Sequence, residues 1–245
     1  MILYVNGDSH TAAAEAVNPH VFACDDGDAE HWRLGRRPHP DNDRASWGFG
    51  LANLLGSTYI NDSESASSNH RIMRTARAWI ESNHDLWSDL LVIIQWSTWE
   101  REEWFIDGEY YQINASGIDQ VPDGYQDQYR QYIVSVDWAR CTQHWHNEIW
   151  LFHRQLKRWG VRHMFFNGNS HFDQPGISQH DWHRSYLQPY SKSGTYDQIL
   201  RTHSYQTVNP QSWHFGADAH CFWAHYMLQY CVDNNLVEHH AICTD

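Results

Sequence analysis

The run Asp89-Leu-Leu-Val-Ile-Ile-Gln-Trp96 constrains this chain more than any other stretch of it. A strand with one wet face alternates apolar and polar residues, and this one does not. Both of its faces therefore have to be covered, as in a parallel strand sandwiched between two helical layers. The run is also far too short to cross a bilayer, and no window of the chain approaches the ~20 apolar residues that a span needs.

Shorter strands are expected around it. Residues 2–6 are apolar and break at Gly7, residues 57–60 form a second candidate, and residues 161–167 lead into Asn-Gly-Asn-Ser. Helices fall between them. Ser46 is placed to cap one that runs through Leu55 and ends at Gly56. Ile72, Ala76, Trp79 and Ile80 recur at helical spacing and predict a helix over 69–83. Residues 126–159 read as one or two helices stopped by Gly160, and residues 217–234 as a last, aromatic-rich helix. Residues 18–45, rich in Asp, Pro, Gly and Arg, read as an irregular excursion. Strand–helix alternation of this kind implies right-handed crossovers and a mostly parallel sheet in a three-layer α/β/α sandwich. A length of 245 residues suits a single such domain over 1–245. Ligands bind beyond the carboxyl ends of the strands in these sheets, where three polar segments converge: Gly7–His10, Asp62–Asn69 and Gln95–Glu103.

Charge excludes one class of partner. With 30 acidic against 17 basic residues and a net charge of −13, nucleic acid is not expected, since Arg33, Arg36 and Arg37 make only a local patch. The first residues lack a basic segment followed by a long apolar one, so they do not read as a signal peptide. The five cysteines are odd in number and contain no C-x-x-C pair, which suits a reducing cytoplasm. Among the 19 histidines, His144/His146, His180/His183 and His239/His240 are close in sequence, but no H-E-x-x-H accompanies them and surface histidine is the simpler reading. No cofactor, metal or membrane partner is expected.

Gly7-Asp8-Ser9-His10 directly after the first strand carries the chemistry. Read plainly, it is a strand-to-helix turn capped by Asp8 or Ser9. It also resembles the opening signature of SGNH (GDSL-type) hydrolases, and the resemblance implies a flavodoxin-like sheet with Ser9 as nucleophile, Asp8 and His10 being turn residues. Where the family places a glycine whose amide joins the oxyanion hole, this chain has Ala66 or Ser65, and alanine keeps the N–H donor if its backbone angles are allowed. Where the family has Gly-x-Asn-Asp, this chain reads Gln95-Trp96-Ser97-Thr98-Trp99-Glu100-Arg101. The asparagine is missing, and Ser97, Thr98 or Asn69 is expected to donate in its place. Ser-Ser-Asn-x-Arg-Ile at 67–72 followed by Trp-Ser-Thr-x-x-Arg at 96–101 is similar to SGNH-like proteins of large tailed phages, which implies a host cytoplasm or a virion as the setting.

The resemblance makes His214, just before Gly216 and the last helix, the general base; His220 falls inside that helix and reads as a packing or surface residue. Three residues before His214 stands Gln211, where the family has aspartate. Glutamine orients an imidazole but supplies no charge. Asp218, Asp173 or Asp197 is then expected to serve through space, or a Ser–His dyad acts alone; Asp28–His31 is a coincidence of spacing. The resemblance thus implies a serine esterase or deacetylase acting on an acylated carbohydrate or another small polar ester. Two other readings stand beside it: a phage structural or glycan-binding protein that keeps the fold without turnover, and a His-ligated metallohydrolase.

Overall fold

The computed structural model describes residues 1–19, 36–115, 121–211 and 213–237. Cys24, Asp28, His31, Arg33, the pair His239/His240, Cys243 and most of the 18–45 excursion lie outside the described residues. The described end of that excursion carries a short helix, α1 (Pro40–Arg44).

Strands β1 (Ile2–Asn6), β2 (Thr58–Asn61), β3 (Leu90–Trp96) and β6 (Arg162–Asn167) form a parallel sheet in the order β2-β1-β3-β6. Each is separated from the next by at least one helix: α2 (Trp47–Leu54), α3 (Asn69–Ser82), then α4 (Gln126–Ser135) and α5 (Trp138–Trp159). Helices α6 (Tyr196–Thr202) and α7 (Ala217–Asp233) follow β6. β1 pairs with β3 from Ile2↔Leu90 to Asn6↔Ile94, and β3 with β6 from Leu91↔Arg162 to Trp96↔Asn167.

The unbroken apolar run behaves as its composition requires. Every residue of β3 is buried. Leu91 and Ile93 join Leu3, Val5, Met164 and Phe166 in a core under α2, α6 and α7, where Trp47, Leu51, Leu200 and Trp223 close it. The alternate residues Val92, Ile94 and Trp96 join Tyr4 and Phe165 in a second core under α3 and α5. Trp145, Ile149, Phe152 and Leu156 of α5 lie there at spacings of three and four, the stripe a core-facing helix presents. The chain is thus a three-layer α/β/α sandwich with a parallel central sheet.

Local signals account for the boundaries. Ser46, Ser68 and Asp137 cap α2, α3 and α5 by accepting from Phe49 N, Arg71 N and Arg140 N, and Gly160 ends α5 with a left-handed φ of 72°. One element was not foreseen. Residues read as part of a polar loop continue into an antiparallel hairpin, β4 (Glu102–Ile106) and β5 (Glu109–Ile113). Its turn, Asp107-Gly108, takes φ of 51° and 91°, the positive pair that a two-residue hairpin connection needs.

Candidate active site

The turn after β1 is built for close approach. A Cβ on Gly7 would lie 2.4 Å from Thr11 Oγ1 and 2.8 Å from Gln95 Oε1, so only glycine fits between β1 and β3 there. Asn6 Oδ1 accepts the Gly7 N–H at 2.8 Å, while Asn6 Nδ2 donates to Thr75 Oγ1 at 2.8 Å. Asp8 Oδ1 then accepts the His10 N–H at 3.0 Å, and Asp8 O accepts from the N–H groups of Thr11 and Ala12. Ala13 and Glu15 both stand in the left-handed region, with φ of 53° and 63°. Two such non-glycine residues within three positions cost backbone energy that the surrounding structure has to offset.

That twist has a chemical consequence. It carries the Glu15 carboxylate to His214, whose Nδ1–H donates to Glu15 Oε2 at 2.6 Å. The His214 ring in turn lies 5.8 Å from the ring of His10, the neighbour of Ser9. The acidic partner of His214 therefore comes from the turn after β1. Gln211 is exposed, and the carboxylates expected to substitute for it are engaged elsewhere: Asp218 accepts Ala219 N, Asp173 pairs with His171, and Asp197 pairs with Arg201. No spacing rule in the sequence points to Glu15; its place depends on the left-handed backbone.

The three polar segments at the carboxyl edge are tied together here. Ser97 Oγ donates to Asp8 Oδ2 at 2.7 Å, and Arg101 Nη1 donates to Asp8 Oδ2 at 3.2 Å and to Ser67 O at 3.3 Å. Glu64 N donates to Gly7 O. Burial pushes the Asp8 carboxyl up, but His10, Arg101, the Ser97 hydroxyl and the His10 amide together hold it below the usual carboxylate range. Asp8 is thus a buried anion whose countercharge is Arg101. Removing one partner of such a pair leaves the other charged and dry. We expect Arg101→Ala to destabilise the fold by about 3 kcal/mol, read as a lower urea midpoint; an unchanged midpoint would show that water replaces the guanidinium.

The expected oxyanion donors divide into two groups. Asn69 is spent on the loop after β3, where its Nδ2 donates to Ser97 O and Thr98 O and its Oδ1 accepts Ser97 N at 2.8 Å. The Ser97 hydroxyl is held by Asp8, and Thr98 Oγ1 donates to Glu100 Oε1 at 3.0 Å. The backbone donors are different. Ala66 adopts φ of 65°, the glycine-favouring conformation at the very position where the resemblance places glycine. Among the described residues, the amides of Ser9 and Ala66 make no hydrogen bond, and neither does the Ser9 hydroxyl. Ser65, the other candidate, is buried and donates its N–H to Arg36 O.

Two further histidines complete the neighbourhood. His10 is buried and pushed down to about 4, first by that burial and then by the charges of His214 and Arg101, against the pull of Asp8. Asn169, beyond β6, places its Nδ2 3.3 Å from His10 Nε2. His220 packs inside α7, accepting the Trp47 N–H on Nδ1 at 3.3 Å. Among the described residues no group of three or more His, Cys, Asp or Glu is arranged to hold a metal ion, and no helix is long and apolar enough to cross a membrane.

Residues 35–170 match the profile of a family of unknown function, DUF6071, over more than half of the chain. The chain belongs to this family. The part of this DUF6071 member that matches holds Ala66, Asn69, Ser97 and Arg101, and ends before His214; Ser9 and Glu15 precede it. Among curated proteins no sequence matches. Of solved structures, an acetyl xylan esterase (Est2A) from the rumen bacterium Butyrivibrio proteoclasticus is similar at 12% identity and a TM-score of 0.43, over 95% of this chain and 64% of that one. The chain thus spans less than two thirds of that structure's length.

Proposed function

We propose that this chain is a serine ester hydrolase in which Ser9, His214 and Glu15 act together. The observation that carries the reading is the 2.6 Å contact between His214 Nδ1 and Glu15 Oε2. A carboxylate on Nδ1 orients the ring, leaves Nε2 as the base, and stabilises the imidazolium formed during acyl transfer. In the proposed reaction His214 Nε2 takes the Ser9 proton as Oγ attacks the ester carbonyl. The oxyanion is received by the N–H groups of Ser9 and Ala66. The tetrahedral intermediate then expels the alcohol, which takes the proton from His214. Water, deprotonated by the same nitrogen, attacks the acyl–Ser9 ester and releases the acid and free Ser9. The Ser9 hydroxyl, unbonded among the described residues, turns toward Nε2 when substrate fills the site; catalytic hydrogen bonds commonly tighten at that stage.

The substrate class is a small polar ester, with an acylated carbohydrate as the leading candidate. A cavity of about 650 Å³ lined by Asp62, Glu64, Arg71, Arg74, Glu103 and Tyr110 among others lies apart from this site, since Ser9, Glu15, Ala66 and His214 do not line it, and the substrate class rests on the resemblance alone. The test is acetate release from acetylated monosaccharides and from an acetylated phenol by wild type and Ser9→Ala. The reading expects turnover by wild type and the uncatalysed rate for the variant. Equal rates in both would assign the activity to another site. A folded wild type inert toward all of them favours the binding protein without turnover.

A further inference from the structure

The amino-terminal edge of the sheet, opposite Ser9, carries a second concentration of chemistry. There the last turns of α5 line a cavity of about 360 Å³ with Trp150, His153, Arg154, Lys157, Arg158 and, from a separate loop, His183. In a protein of net charge −13, no carboxylate among the described residues lines this cavity. Among the described residues the side chains of Arg154, Lys157 and Arg158 have neither an ion-pair nor a hydrogen-bond partner. Two of these cations suit the negative end of the helix dipole, but the dipole explains neither the cavity nor what lies within it. Around the rim, His183 Nδ1 stands 3.2 Å from Asp181 Oδ2.

His153 is fully buried, and its Nε2 has no partner. Its protonation pattern follows from its neighbours. His163 Nδ1 is 2.8 Å from Val161 O, a group that only accepts, so the proton sits on that nitrogen. His163 Nε2 is then an acceptor, and the nitrogen 2.8 Å from it, His153 Nδ1, is the donor. His153 Nε2 is left with a bare lone pair in a cavity edged by cations. Burial, joined by His163, Lys157 and His183, pushes this ring down to about 3, so the lone pair does not fill itself by taking a proton from water near neutral pH. The His183 ring stacks above it at 6.4 Å, on a turn where His183 and Arg184 both have left-handed φ, 48° and 67°.

We propose that this cavity binds a compact tetrahedral oxyanion that carries a proton, of the hydrogen phosphate or phosphomonoester monoanion type. The anionic oxygens take Arg154, Lys157 and Arg158, and the P–OH group donates to His153 Nε2 once the His183 ring moves aside. The two demands of the cavity, negative charge and a hydrogen-bond donor, are both met by a protonated phosphate. Sulfate meets only the first. The site is independent of the esterase reading and shares no residue with it.

Isothermal titration at pH 6 and low salt with inorganic phosphate, glucose 6-phosphate and sulfate tests this. Phosphate is expected to bind about tenfold more tightly than sulfate, the worth of one hydrogen bond to a charged partner. Binding of glucose 6-phosphate as well identifies a phosphomonoester head as the ligand, and its failure beside phosphate binding identifies the free anion. Lys157→Glu with Arg158→Glu, both exposed, should abolish binding of every anion. His153→Phe keeps the ring stack and should reduce the phosphate-to-sulfate preference to about one. Equal binding of phosphate and sulfate by wild type, or no phosphate binding, overturns the proposal whether or not His153→Phe folds.

Discussion

Glu15→Gln is expected to lower ester turnover by about ten-thousandfold while leaving the fold in place. The carboxylate accepts the His214 Nδ1 proton at 2.6 Å. Glutamine keeps the length of the side chain and loses the charge, so the imidazolium formed as Ser9 attacks is no longer stabilised. An amide that presents its N–H to Nδ1 also selects the wrong tautomer, and the same exchange in a serine protease triad costs about that factor. Ser9→Ala should fall to the uncatalysed rate, and because the Ser9 hydroxyl makes no hydrogen bond among the described residues, its loss should spare stability. Gln211→Asp should leave turnover unchanged, since position 211 is exposed and the site already has its carboxylate. The readouts are kcat/KM for an acetylated phenol and the urea midpoint of each variant. A Glu15→Gln protein as active as wild type would remove Glu15 from the mechanism; a large gain in Gln211→Asp would move the acid to the His214 loop.

Acidification is expected to unfold this protein well above the range in which carboxylates titrate. Burial is the first cause in each of three rings: it drives His10 and His163 down to about 4 and His220 to about 3. All three are depressed in the fold relative to an unfolded value near 6.5. The unfolded chain therefore binds protons first as pH falls. Their contribution is fully present above pH 6.5 and is lost as pH drops from there toward 4. Between pH 7 and pH 5 each such ring costs about 2 kcal/mol. Three of them consume a large share of the roughly 5–15 kcal/mol that holds a domain folded. Asp8, held low, contributes in the same direction only below about pH 4, so the two effects separate along the pH axis. Urea unfolding at pH 7, 6 and 5 should show a midpoint that falls steeply with pH. A midpoint constant over that range would contradict the burial of these rings.

What could be read in the sequence divides along physical lines. β3 was legible because five successive apolar residues leave a short segment no other place than between two layers, and Gly7 because a strand ending at glycine marks a turn. Helix α3 follows from its stripe of Ile72, Ala76, Trp79 and Ile80, and the end of α5 from Gly160. The hairpin at Asp107-Gly108 has no such signal, because the glutamates and aromatics around it do not alternate cleanly. The site is a harder case. Ser9 and His214 belong to recognisable local patterns. Glu15 reaches His214 across 199 residues of sequence through a left-handed backbone that propensity does not encode. Arg101 reaches Asp8 from beyond β3, across 93 residues of sequence. That the Asn69, Ser97 and Thr98 side chains are already engaged emerges only once each is traced to its partner.

The most direct test of the central claim, that Ser9 is a nucleophile activated by His214 and Glu15, is labelling with a fluorophosphonate followed by peptide mass spectrometry. The account predicts one adduct, on Ser9, in wild type; a much slower adduct at the same residue in Glu15→Gln; and none in Ser9→Ala. An unlabelled Ser9 in folded wild-type protein, or an adduct on another serine that persists in Ser9→Ala, would contradict it.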